Sequence, residues 1–143
     1  MLQSMKWVEY GLKREVLSRW PGAYWRLRTL IKGPLEPELE LLPQLCSSAT
    51  IAVDVGSNWG AYAFALSQWC AGVVCFEPQP MLAKVVSRGL EARRNVQVHN
   101  IALSDRNDIL ELRVPRNDLG YATVEAGNVL QGKAIKLVCA ISD

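Results

Sequence analysis

Between positions 51 and 78 the chain reads Ile51-Ala-Val-Asp-Val-Gly-Ser-Asn-Trp-Gly60, then a helix-length interval, then Val73-Val-Cys-Phe-Glu-Pro78. A short apolar run bounded by glycine is the pattern of a buried strand, and a second such run closing on a carboxylate is its neighbour in an open parallel sheet. That arrangement builds half of a nucleotide-type pocket, at the carboxyl ends of the two strands. It constrains the fold more than any other stretch of the sequence.

Alternation of strand and helix continues around it. We read strands at about 50–55, 72–76 and 96–102, with helices at about 59–70 and 80–93, a βαβαβ unit whose right-handed crossovers place the strands in the spatial order 3-2-1. The fold class expected is α/β, a partial Rossmann-like sheet with a helical extension before it. Past strand three the rhythm shortens: Ile109–Val114, Tyr121–Val124 and Ile135–Cys139 read as strands of a hairpin-rich flap, separated by Pro115-Arg-Asn-Asp-Leu-Gly120 and Gly127-Asn128.

The total charge of +2 conceals an uneven distribution. Residues 1–32 hold seven basic against two acidic residues, whereas the remainder holds nine against twelve. This leader carries Trp7, Val8, Leu12, Val16, Leu17, Trp20, Trp25, Leu27, Leu30 and Ile31, which fits one or two amphipathic helices broken near Pro21-Gly22. Such a helix either lies on an anionic membrane or packs on its own domain, and packing is the commoner use. Nucleic acid is disfavoured because the basic residues do not continue into the following domain. The prolines of Gly33-Pro-Leu-Glu-Pro37 mark the boundary, so the division expected is a leader at 1–36 and a domain at 37–143, opening with a short helix over Glu38–Cys46.

With 143 residues, 50% of them hydrophobic, and a mean hydropathy of +0.05, the chain has material for one globular core. It shows neither a transmembrane run nor a secretory signal, and a cytoplasmic location is expected. The four cysteines form no Cys-x-x-Cys pair, and His99, the one histidine, lies in a strand-like run, so the thiols read as small buried side chains and no metal is expected.

In the first motif, Gly56 and Gly60 allow a sharp turn and close approach of a ligand, while the helix opening near Asn58 offers unpaired N–H groups. Asp54 either orients that loop or holds an amine. Glu77, 23 residues further on, stands where a carboxylate accepts both hydroxyl hydrogens of a ribose; the alternative is a solvated turn residue, and the glycine loop at the right distance favours the ribose. A pyrophosphate is disfavoured because Asn58 stands where NAD-binding loops carry their middle glycine, which leaves NAD a weaker option. A Walker loop is excluded, since no Gly-Lys-Ser/Thr follows the turn.

Asp54-Val-Gly-Ser-Asn-Trp-Gly60, Phe76-Glu-Pro-Gln-Pro80 and Asn100-Ile-Ala-Leu-Ser-Asp105, in that order and spacing, resemble successive signatures of the FkbM-type S-adenosylmethionine-dependent methyltransferases. The likeness extends from about Glu38 to the end of the chain. It implies the class I methyltransferase fold, S-adenosylmethionine as cofactor and O-methylation of a hydroxyl-bearing small molecule such as a sugar or metabolite. By the same resemblance Gly56 and Gly60 frame the methionine part of the cofactor, Asp54 supports that loop, Ser57 and Asn58 belong to the cofactor-binding set with them, and Glu77 binds the ribose. Ser104 and Asp105 lie near the adenine, a place that the backbone of Ala102 or Leu103 could fill instead. Trp59 departs from the family's smaller aliphatic residue and either covers the cofactor pocket or packs beneath the loop, packing being the commoner use of a buried indole.

The family continues past a segment like Lys136–Asp143 into a Lys-x-Asp-x-Glu-Gly strand and the acceptor site, so the resemblance covers the cofactor-binding half. With that half alone, strand one has an open edge, from which a homo-oligomer or marginal stability is expected. No catalytic base is legible. The alternative function is a non-catalytic remnant that binds a partner through the open edge and the basic leader.

Overall fold

The structure is a computed structural model and describes residues 15–16, 18–33, 36–104, 108–115, 122 and 132–140. Helix α1 spans Pro21–Lys32, with its proline at the first helical position, where a missing N–H is harmless. A 3-10 turn at Pro37–Leu41 and helix α2 at Leu42–Leu45 follow, burying Leu39 and Leu42. Then come β1 (Ile51–Val55), α3 (Ala61–Leu66), β2 (Gly72–Phe76), α4 (Pro80–Gly89) and β3 (Val96–His99).

These three strands form a parallel sheet in the order β1-β2-β3, with Val53 opposite Val74 and Cys75 opposite Val98. The fold is therefore α/β, with the strand order expected from the βαβαβ pattern. Two boundaries differ from that pattern. The first crossover helix is one and a half turns rather than three, because Ser67 Oγ donates to the Phe64 carbonyl at 2.7 Å and the chain turns there. Strand three stops at His99, and Ala102–Leu103 forms a separate strand, β4, that pairs in parallel with β6 (Gly132–Ala140). Strand β5 (Asp108–Pro115) runs antiparallel to β6 along its whole length, so the second sheet has the order β4-β6-β5. Of the expected flap strands, Tyr121–Val124 lies outside the described residues except for Ala122.

One face of the first sheet builds the core. Because alternate strand residues share a face, Ala52, Val73, Cys75, Val96 and Val98 point together, and against them pack Ala63 and Phe64 of α3, Val86 of α4 and Trp25 of α1. Trp25 is 1% exposed, with its ring 5.5 Å from that of Phe64. The helix before the boundary thus shares the core of the sheet. It crosses α4 closely: a Cβ on Gly22 would stand 2.7 Å from the Gly89 carbonyl oxygen. Cys70 and Cys75 are buried and free, and burial pushes each thiol up to about 11.

The opposite face carries Ile51, Val53 and Val55, all exposed, beside Val74 and Phe76, the last stacked on His99 at 5.3 Å. Among the described residues no helix covers it, and none is long and apolar enough to cross a membrane.

Candidate functional site

The two motifs meet at the carboxyl ends of β1 and β2. The N–H groups of Gly56 and Ser57 both donate to the Phe76 carbonyl, at 2.8 and 3.1 Å, which carries the sheet ladder into the glycine turn. Gly56 takes φ +76° and Asn58 φ +51°, left-handed conformations that fold the loop back over the strand end. Asn58 N–H then donates to Glu77 Oε2 at 2.7 Å, and Gln79 N–H donates to Glu77 Oε1 at 2.8 Å. Glu77 is 2% exposed, which sets aside the solvated-turn reading of this residue. Its own N–H donates to the His99 carbonyl, and Asn100 Nδ2 donates to the carbonyls of Glu77 and Pro78, so all three strand ends are fastened to one another.

Burial raises the pKa of both carboxyls in this corner. For Glu77 the N–H groups of Gln79 and Asn58 pull the other way; for Asp54 hydrogen bonds also oppose the rise without cancelling it. Asp54 Oδ2 and Asn58 Oδ1 are buried without a hydrogen-bond partner. Two orphaned buried acceptors, one near the end of β1 and one in the glycine turn, are a cost to the folded chain unless a donor arrives.

A cavity of about 280 Å³ opens beside the loop. Gly56, Ser57, Asn58, Trp59, Ala61 and Tyr62 line it from the domain, and Tyr24, Trp25, Arg28 and Glu36 from the leader and the segment after it. The leader's contribution was not legible beforehand, since nothing in a basic, tryptophan-rich stretch says which side chains turn inward. Arg28 is held there by donating Nη1 to the Gly33 carbonyl at 3.2 Å. Tyr62 Oη donates to Glu38, whose carboxylate pushes the phenol up to about 12, so this hydroxyl keeps its proton at neutral pH.

The candidate residues separate into groups. Gly56, Ser57 and Asn58 face the cavity, with Asp54 at the strand end beneath them. Glu77 lies behind the loop: each of its oxygens already accepts one N–H, leaving one further lone pair apiece. Gly60, at φ +84°, packs against Trp25, where a Cβ would stand 2.8 Å from the ring. Ser104 is half-buried just past β4, and Asp105 lies outside the described residues. Trp59 is half-buried, packing against the core cluster while also lining the cavity. Among the described residues no cluster of His, Cys, Asp and Glu is suited to a metal ion.

No protein-family profile matches the chain, and no curated protein matches it. Solved structures similar to part of it include two streptococcal proteins. One is a protein of Streptococcus mutans, described as a candidate methyltransferase and crystallised with SAH, 27% identical over 50% of this chain and 42% of its own, with a TM-score of 0.45. The other is an rRNA methylase of Streptococcus thermophilus, 21% identical over 50% of this chain and 45% of its own, with a TM-score of 0.43. This chain therefore spans less than half the length of either neighbour, and the functional reading rests on the geometry of the loop itself.

Proposed function

We propose that the chain binds S-adenosylmethionine at the carboxyl ends of β1 and β2 and serves methyl transfer to a hydroxyl-bearing small molecule, in the manner of the FkbM-type methyltransferases its motifs resemble. The observation that carries this reading is the 2.7 Å bond from Asn58 N–H to Glu77, which joins the glycine turn and the carboxylate in one corner that also holds two unpartnered acceptors. A ligand with an ammonium and ribose hydroxyls supplies the donors that Asp54 Oδ2 and Asn58 Oδ1 lack. Gly56 has nothing within 4 Å of where a Cβ would be, so its backbone is open to close approach. The bound cofactor would supply a methyl group on a sulfonium. This chain would hold the cofactor through Asp54, Asn58 and Glu77 and restrict water through Trp59 and Tyr24; alignment rather than acid–base chemistry is then its main contribution. In this reading residues 37–143 are the cofactor-binding domain and residues 1–36 the leader, whose Tyr24, Trp25, Arg28 and Glu36 line one side of the cavity.

Calorimetric titration tests it. S-adenosylmethionine and S-adenosylhomocysteine are expected to bind saturably at one site, NAD is not, and Asp54→Asn and Asn58→Ala are expected to weaken binding while the protein still melts cooperatively. Glu77→Ala is expected to abolish binding. Absence of heat with both adenosyl ligands, or unchanged affinity in all three variants, overturns the reading and leaves a non-catalytic, partner-binding module.

A further inference from the structure

Helix α1 is apolar on two sides, and the fold uses one of them. Trp25 turns into the core, whereas Ala23, Leu27, Leu30 and Ile31 share an arc of about 100° on the opposite side at 3.6 residues per turn, continued by Trp20 at the N-cap. Leu30 is 83% exposed, Ile31 68%, Trp20 63% and Leu27 59%. A helix that only closes a core needs one apolar stripe, and a second stripe of large side chains in water is the mark of a contact surface. Exposed Arg26 borders this stripe and exposed Arg19 precedes it. From Glu15 to Glu36 the sequence has four basic residues and no acidic one between those two.

We propose that the outward face of α1 docks the protein on an anionic lipid bilayer, with Trp20, Leu27, Leu30 and Ile31 entering the headgroup boundary and Arg19 and Arg26 meeting lipid phosphates. The charge pattern selects this occupant. A second copy of the helix would bring cations against cations, and a nucleic acid would meet leucines where it needs donors. The contact lies in the plane of the interface, because the 12 residues of α1 fall short of the roughly 20 that span a bilayer. The proposal does not depend on the cofactor reading.

Co-sedimentation of the full chain with vesicles of phosphatidylcholine, with and without phosphatidylserine, tests it. The protein is expected to pellet with the anionic vesicles, to be released by salt, and to stay in solution with phosphatidylcholine alone. Replacing Leu27, Leu30 and Ile31 together by Gln, all exposed and hence without effect on melting, is expected to abolish pelleting; Arg26→Glu is expected to weaken it roughly fivefold or more. Wild-type protein that ignores anionic vesicles, or a triple variant that pellets as well as wild type, overturns the proposal. So does a solution mass that falls in the triple variant, which would put a second copy on this face. Should the triple variant fail to fold, Arg26→Glu alone decides: pelleting at low salt equal to wild type overturns the proposal.

Discussion

Gly56 and Gly60 look equivalent in the sequence, and the structure gives them different reasons to be glycine. Both have positive φ, but a Cβ on Gly60 would strike Trp25 at 2.8 Å and Val86 at 3.1 Å, whereas one on Gly56 meets nothing within 4 Å. Gly60→Ala is accordingly expected to cost about 3 kcal/mol, the left-handed penalty plus overpacking, and Gly56→Ala about 1 kcal/mol, in denaturant melts. Gly56→Ala should nevertheless weaken ligand binding the more, because it fills the approach to the loop. The buried carboxyls give a second expectation. Asp54 and Glu77 have folded pKa values raised above the unfolded ones, so the native state holds protons that the unfolded state has already lost. Their contribution is fully favourable below about pH 4, the ordinary carboxylate range, and declines as pH rises through the raised values. Asp54→Asn should flatten that decline in chemical denaturation between acidic and neutral pH; an unchanged slope would mean that Asp54 is not desolvated. Asp54, Gly56, Asn58 and Glu77 were all visible as a constellation in the sequence, because turn chemistry and a strand-end carboxylate are local signals. That Glu77 is shared with Asn58 N–H was not, because a contact across 19 residues depends on how β1 and β2 register.

At the scale of elements, the strands were the legible part. Short runs rich in valine and isoleucine, flanked by turn residues, placed β1 and β2 almost to the residue, because β-branched side chains favour the pleated strand whether or not the face they occupy is covered. Helix α3 was overestimated because Gln68, Trp69 and Cys70 continue a helical rhythm, while Asn95 Nδ2 donates to the carbonyls of Ser67 and Cys70 and fixes a turn there instead. The crossing of α1 over α4 was invisible, although its determinants are ordinary residues. Gly22 and Gly89 let the helices approach, and a Cβ on Gly89 would overlap the Trp25 ring and stand 3.0 Å from Pro21 Cβ. Gly89→Ala is therefore expected to displace α1, seen as a red shift and greater quenching of tryptophan emission and a lower melting temperature, although alanine is the better helix former. A variant as stable as wild type would show that the crossing is looser than described.

For the molecule as a whole, the decisive feature is that one sheet face and the outer edge of β1 are left without a cover among the described residues. Gly56 N–H and the Thr50 carbonyl bond to β2, so by alternation the N–H groups of Ile51, Val53 and Val55 point to the open side of β1. Unpaired strand edges with exposed valines recruit another strand. The chain is expected to sediment above monomer mass at high concentration, and Val53→Pro, which removes an outward N–H only, should restore the monomer with the circular dichroism unchanged. A wild-type chain that stays monomeric at every concentration would show that the edge recruits nothing. The sequence alone determined the α/β alternation, the strand order and the residues of the glycine loop, because hydrophobic period, glycine conformation and proline placement act over a few neighbouring residues. Only the tertiary structure decided which tryptophan of the leader enters the core, which face of α1 stays outside, and that Arg28 and Tyr24 join the loop in lining one cavity. Those choices turn on close packing between elements far apart in the chain, where a single Cβ at Gly22 or Gly89 decides whether two helices can touch.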